Sequence, residues 1–236
     1  MRRVPLEGTD NTRDLGGYPV PGGHTAWGRT FRSDAPVNLS AADVATLRRL
    51  GITTHIDLRT ADEVERRPCV AKNLEGFRYH HVDLCASMQM MPESEEGVAA
   101  SYLEMTDQAE PMARIFRIIA KTEGGLLFHC AAGKDRTRVV AAVLLMLAGA
   151  ERADLLADFI LTAAYMREPI KKFIETDPDI PHYVLTPRVE YLEAFLDRFL
   201  ASHKSAQAYL ENIGISADEI KSITQRMTFL TPSYPI

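Results

Sequence analysis

Apolar positions change their spacing along the chain, and each spacing predicts an element. Residues 11–34 are rich in Gly and Pro, with short β-like pieces around Tyr18 and 27–32 that read as turns or a hairpin beside a main sheet. In NLSAADVATLRRLG, Val44, Leu47 and Leu50 keep helical spacing, with Ser40 suited to cap the start and Gly51 the end. The next stretch, ITTHIDLR, alternates so that Ile52, Thr54, Ile56 and Leu58 share one face of a strand. Thr60-Ala-Asp-Glu63 fits a capping box and opens a short helix that must stop near Pro68. Residues 77–84 read as another strand and 85–97 as a Met-rich acidic loop. Helices follow over 98–105 and 111–121, with Pro111 at a first helical position.

After Gly124-Gly125 a short apolar strand, LLFHC, leads through AAGKDRT into RVVAAVLLMLAGA, which is apolar almost all round and so predicts a buried central helix. Beyond Glu151 the spacing is helical over 153–167, 170–175, 188–202, 206–213 and 217–227. Thr186-Pro187 and Ser216-Ala-Asp-Glu219 act as start signals. The expected fold is α/β, a central largely parallel sheet flanked by helices with a site at the strand C-terminal ends, followed by a helical C-terminal half. Residues 1–236 read as one domain, of which 151–236 is mainly helical and a candidate cover for the site.

Composition narrows the function classes. Among 236 residues, 46% are hydrophobic and 25% charged, which excludes a disordered or fibrous chain. Lys and Arg number 27 against 32 Asp and Glu, a formal charge of −5, so nucleic acid and anionic membranes are not expected partners and an anionic ligand needs a local positive site. The longest apolar run, 139–150, falls short of the roughly 20 residues that span a bilayer. The N-terminal MRRVPLEGTDNTRD lacks the apolar stretch of a secretory signal, so a cytoplasmic location is expected, with signal-independent export left open. Cys69, Cys85 and Cys130 show no paired spacing and read as reduced thiols, at most one of them reactive. No metal or cofactor is expected.

The chemistry concentrates in His129-Cys-Ala-Ala-Gly-Lys-Asp-Arg-Thr137. A cysteine at a strand end, five residues and an arginine opening a helix gather backbone N–H groups around one point, with the positive end of the helix dipole behind them. Ala131, Ala132 and Gly133 leave that backbone uncovered, and Arg136 can clamp two oxygens with its planar fork. The same field favours the thiolate of Cys130. A nucleophile facing a bound phosphate would form a phosphocysteine intermediate for water to hydrolyse.

This segment resembles the signature of the cysteine-dependent protein tyrosine phosphatase superfamily. It is most similar to the bacterial tyrosine phosphatases with a Gly-Lys-Asp-Arg-Thr loop, some of them secreted effectors, which also act on phosphoinositides. The resemblance extends to NTRDLGGY, to FRSDA followed by LRRLGITTHIDLRTADEVERR, and more loosely to YLENIGISADEIKSI, and so spans most of the chain. It implies a dual-specificity-phosphatase-like fold, with Cys130 as nucleophile, Arg136 as phosphate clamp, and Ala131, Ala132, Gly133, Lys134, Asp135 and Arg136 lining the phosphate. His129 would support the loop and the thiolate, and the Thr137 hydroxyl would hydrogen-bond the sulfur. Relatives with this loop use its internal aspartate as the acid, here Asp135, while Asp57 at the end of a neighbouring strand is a second candidate. The implied partners are a phosphorylated protein or phosphoinositide, with inorganic phosphate as product.

One departure stands out: the family carries glycine after the threonine, and this chain carries Arg138. An open face or an extra cation near the substrate would follow. Lys134 is either a solvated loop lysine or a contact for a second phosphate. Arg13, Asp14 and Arg59 match family positions and read as ties between segments. His80 and His81 point to opposite strand faces, unsuited to one metal. Met88, Met90 and Met91 are a candidate lid surface, and Cys69 or Cys85 a candidate partner for an oxidised Cys130. Three rivals stand beside the phosphotyrosine reading: hydrolysis of soluble inositol polyphosphates, rhodanese-like sulfur transfer, and phosphate binding without turnover.

Overall fold

The computed structural model describes residues 2–85, 92–177 and 179–230. The elements run β1 (Arg13–Asp14), β2 (Pro19–Val20), β3 (Gly23–Thr25), β4 (Thr30–Ser33), α1 (Ala41–Arg49), β5 (Ile52–Asp57), α2 (Ala61–Arg66), a 3₁₀ turn (Val70–Asn73) and β6 (Arg78–His81). They continue with α3 (Glu95–Asp107), α4 (Ala109–Lys121), β7 (Gly125–His129), α5 (Asp135–Ala148), α6 (Arg152–Tyr165), α7 (Arg167–Thr176) and α8 (His182–Leu185). The chain then forms α9 (Val189–His203), α10 (Ala206–Asn212), α11 (Ala217–Met227) and β8 (Thr228–Leu230).

Five strands form the central sheet in the order β1-β4-β7-β5-β6. The β4–β7, β7–β5 and β5–β6 pairs are parallel and β1 is antiparallel to β4, so the expected α/β architecture with a largely parallel sheet is observed. A second, antiparallel sheet joins the β2–β3 hairpin to β8 from the chain's far end. β7 lies at the centre of the main sheet with all five residues buried, and its C-terminal end delivers Cys130. Behind it α5 buries eleven of its fourteen residues, as its all-round apolar sequence predicts, and ends on Gly149 in the left-handed region, where a side chain would be strained.

Strand β5 departs from simple alternation. Its pairing with β7 shifts between Ile52 and Thr54, so one residue is inserted and the faces exchange. Ile52 therefore packs with Phe31, Leu47 and Leu127 on one side of the sheet, whereas Ile56 and Leu58 join the larger core around α5 on the other. His55 stays with the first group, edge-on to Phe77.

Several boundaries move from their sequence expectation. α3 begins at Glu95, capped by Ser94, so the end of the expected 85–97 loop is helical. α4 begins at Ala109, which puts Pro111 third in the helix; its missing N–H costs nothing there, because first-turn donors have no intrahelical acceptor. Thr186 closes α8 through its N–H to the His182 carbonyl, and α9 starts only at Val189. Ser216 does form the full capping box with Glu219. Met88, Met90 and Met91 lie outside the described residues.

Candidate active site

The loop after β7 is held by its carbonyls. The oxygen of Ala131 accepts from the Ala35 N–H, that of Ala132 from the Asn11 amide, and that of Gly133 from both Asn11 and Arg32 Nη2, at 2.8–3.1 Å. In a trans peptide the C=O of one residue points opposite to the N–H of the next. Fixing these three carbonyls on the scaffold therefore turns the N–H groups of Ala132, Gly133 and Lys134 the other way. Gly133 makes the close approach possible: its φ is +64°, and a Cβ would stand 2.4 Å from the Ser33 oxygen.

The scaffold is itself a buried charge cluster. Asp158 of α6 accepts from Arg13 Nε at 2.8 Å and from Arg32 Nη1, and Tyr18 donates to it at 3.2 Å. Arg13 also donates to the Asn11 side chain at 2.5 Å and to Thr162 at 2.7 Å. Burial opposes the Asp158 charge, but the two guanidiniums hold its carboxyl well below the ordinary range. Arg13 thus ties segments together, while Asp14 accepts the Gly16 and Gly28 N–H groups.

Beside the loop lies a cavity of about 120 Å³. Cys130, Ala131, Ala132, Asp135 and Arg136 meet there with Tyr102, Met105, Val98 and Ser101 of α3, Pro92, Val184 of α8, and Cys85. Arg136 is fixed by both oxygens of Glu63, Nη1 to Oε2 at 2.5 Å and Nη2 to Oε1 at 2.9 Å. Burial pushes the Glu63 carboxyl up, but Arg136 outweighs it and holds it at about 2. Glu63 also caps α2, accepting from the Thr60 N–H at 2.8 Å.

Asp135, at the first turn of α5, keeps 35% of its side chain exposed. Its Oδ1 accepts from the Tyr102 hydroxyl at 2.6 Å and its Oδ2 lies 3.3 Å from Lys134 Nζ. Burial raises its pKa, and Lys134, Arg138 and the Tyr102 hydrogen bond together pull it below the ordinary value. Lys134 is buried, its ammonium donating to the Val184 carbonyl of α8. Asp57 is elsewhere: fully buried, it takes Arg59 Nε and Nη2 at 2.9 and 2.6 Å and the Tyr79 hydroxyl at 2.9 Å, and it does not line the cavity. Burial raises its carboxyl, and Arg59 brings it down to about 2.

His129 is buried, and that burial lowers its pKa to about 4, leaving a neutral ring with Nδ1 3.4 Å from the Cys130 carbonyl and Nε2 3.8 Å from Asp57. The Thr137 hydroxyl, expected to meet the sulfur, is buried with no hydrogen-bond partner among the described residues. Cys69 stands within 4.8 Å of the Asp57 and His129 donor atoms, in a trio whose carboxylate Arg59 already neutralises. Burial pushes the thiols of Cys69 and Cys85 up to about 11 and about 12.

The structure thus gathers Cys130, Ala131, Ala132, Asp135 and Arg136 at one cavity, leaves Asp57 outside it on Arg59, and adds Glu63, Tyr102, Asn11, Arg32 and Asp158, which the sequence did not assign to the site. One signal was present: a lone aspartate within the apolar LLADFILT of α6 must find buried cations.

Known proteins resemble the chain over most of its length. A tyrosine-protein phosphatase of Nostoc commune is 30% identical over 210 residues, covering 80% of this chain and 70% of its own. The triple specificity protein phosphatase PtpB of Mycobacterium tuberculosis is 29% identical over 240 residues, covering 80% of this chain and 87% of its own. Among solved structures, TpbA of P. aeruginosa aligns with a TM-score of 0.32 at 14% identity, over 77% of this chain and 94% of that one. The sequence model of the tyrosine phosphatase family matches residues 4–229, and the chain belongs to that family.

Proposed function

We propose that the chain hydrolyses phosphate monoesters, phosphotyrosine foremost, through a Cys130 phosphoenzyme. The observation that carries this reading is the meeting of Cys130, Ala131, Ala132 and the Glu63-braced Arg136 on one small cavity, in a loop whose carbonyls the scaffold holds. Cys130 Sγ attacks phosphorus in line, and the bond to the leaving oxygen breaks as Asp135 gives that oxygen its proton. Water then attacks the phosphocysteine, losing a proton to the Asp135 carboxylate, and the S–P electron pair returns to sulfur as phosphate departs. The fixed N–H groups and Arg136 stabilise the equatorial oxygens in both steps. Asp135 is the acid in this reading because it lines the cavity, where the negative charge of a bound phosphate raises the carboxyl that Lys134 and Arg138 hold low in the free protein, whereas Asp57 is buried on Arg59.

The apolar contributions of Val98, Met105 and Val184 suit an aromatic ring better than a soluble inositol polyphosphate. Phosphoinositides enter as a second substrate class through Lys134, which sits at the loop but spends its ammonium on α8 and becomes available only when α8 yields. α8 is accordingly the proposed cover: Val184 lines the cavity and the Tyr183 hydroxyl reaches the Pro92 carbonyl at 3.1 Å. Among the described residues no helix is long and apolar enough to cross a membrane.

The test is phosphate release from a phosphotyrosine peptide, a phosphoserine peptide, phosphoinositides and an inositol polyphosphate by wild type, Cys130→Ser and Asp135→Asn. Turnover led by phosphotyrosine and abolished in Cys130→Ser is expected. A wild type that binds these phosphates without releasing any would replace hydrolysis by a binding function.

A further inference from the structure

Arg138 is a buried cation with an unusual set of partners. It is 2% exposed, no carboxylate lies within 4.0 Å of it among the described residues, and its Nε and Nη2 are buried without hydrogen-bond partners. Its guanidinium stacks 3.8 Å from the Phe159 ring centre and 4.8 Å from that of Tyr102. Its hydrogen bond runs from Nη1 to the Tyr102 hydroxyl, at 2.8 Å. Leaving a guanidinium buried and unpaired is costly, and a helix interior needs only an apolar side chain there.

What Arg138 obtains is control of one proton. Tyr102 Oη has one hydrogen and receives the Arg138 N–H, so its own hydrogen must point to its remaining neighbour, Asp135 Oδ1, 2.6 Å away. Oδ1 is filled by that donor at 2.6 Å and Oδ2 faces the Lys134 ammonium at 3.3 Å, the longer and weaker contact, so a proton carried by Asp135 goes to Oδ2. Asp135 and Arg138 are three residues apart on α5, so the relay closes over a single helical turn while Tyr102 reaches in from α3.

We infer that Arg138 and Tyr102 are positioning residues for the proton donor: Arg138 orients the Tyr102 hydroxyl, which fixes the Asp135 carboxyl with its transferable proton on Oδ2. The inference rests on the reading of Asp135 as general acid. It gives Arg138, the residue at which this chain departs from the glycine of the resembled pattern, a function in the reaction.

The test compares turnover of phenyl phosphate, whose leaving oxygen needs a proton, with dinitrophenyl phosphate, whose leaving oxygen does not. Wild type, Asp135→Asn, Arg138→Met and Tyr102→Phe are measured on both. Tyr102→Phe keeps the ring and removes only the hydroxyl, so it answers even where Arg138→Met does not fold. The expected result is a loss on phenyl phosphate exceeding the loss on dinitrophenyl phosphate by about tenfold or more in both relay variants, within the range that general acid catalysis supplies. Equal losses on the two substrates in the relay variants, beside a selective loss in Asp135→Asn, would overturn the relay and leave the acid in place. Equal losses in Asp135→Asn itself would remove the acid reading on which the relay stands.

Discussion

Two aspartates within reach of one sequence motif receive opposite chemistry from their neighbours. Asp57 gives both oxygens to Arg59 and one to Tyr79 in a dry site, a setting that fixes a charge. Asp57→Asn should cost about 3–5 kcal/mol in urea denaturation, because Arg59 is left buried without its counter-charge. With a folded pKa near 2, the stabilisation by Asp57 is complete above the unfolded carboxylate's value and is lost as pH falls. The wild type should therefore weaken between about pH 5 and about pH 2, and Asp57→Asn should show a flatter profile over that range. If Asp57→Asn instead shows the selective loss on poor leaving groups assigned to Asp135, the two roles are reversed. Cys130 and Arg136 were legible because a single loop carries both. Glu63 was legible only as a helix cap, since its ion pair with Arg136 spans 73 residues and is a property of the fold.

At the scale of elements, local signals held where one segment decides its own form. The cap at Ser40, the capping boxes at Thr60 and Ser216, the apolar α5 and the strand before Cys130 all appear as their patterns require. The β5 face pattern failed because the inserted residue is set by pairing with β7, which no alternation within β5 reveals. The short α8 escaped notice because four residues carry no period. The loop after β7 is sensitive to a single change. Gly133→Ala would meet both a positive φ and the Ser33 backbone at 2.4 Å. Strain of about 1–3 kcal/mol should displace the neighbouring N–H groups and weaken inorganic phosphate binding by about tenfold or more in titration calorimetry. Unchanged affinity would mean that these N–H groups do not hold the phosphate.

The whole molecule converges on Asp158. It joins α6 to Arg13 of β1 and Arg32 of β4, and Arg32 in turn holds the Gly133 carbonyl of the loop. The helical half, separated from β1 by 145 residues at this contact, thereby helps to shape the loop after β7. Only half of that dependence was legible in sequence: the lone Asp158 within LLADFILT calls for buried cations, but no pattern within α6 says that β1 and β4 supply them. Asp158→Asn should leave two buried guanidiniums facing a neutral group and cost about 3–5 kcal/mol. Measured at a temperature where the variant remains folded, phosphate release should still fall, because Arg32 no longer has the partner that directs its second nitrogen to Gly133. Arg152→Gln, on the same helix as Asp158, breaks the exposed pair with Asp197 of α9 and supplies the contrast: surface ion pairs contribute little to stability. A folded Asp158→Asn with undiminished phosphate release would show that the loop keeps its shape without the helical half's aspartate.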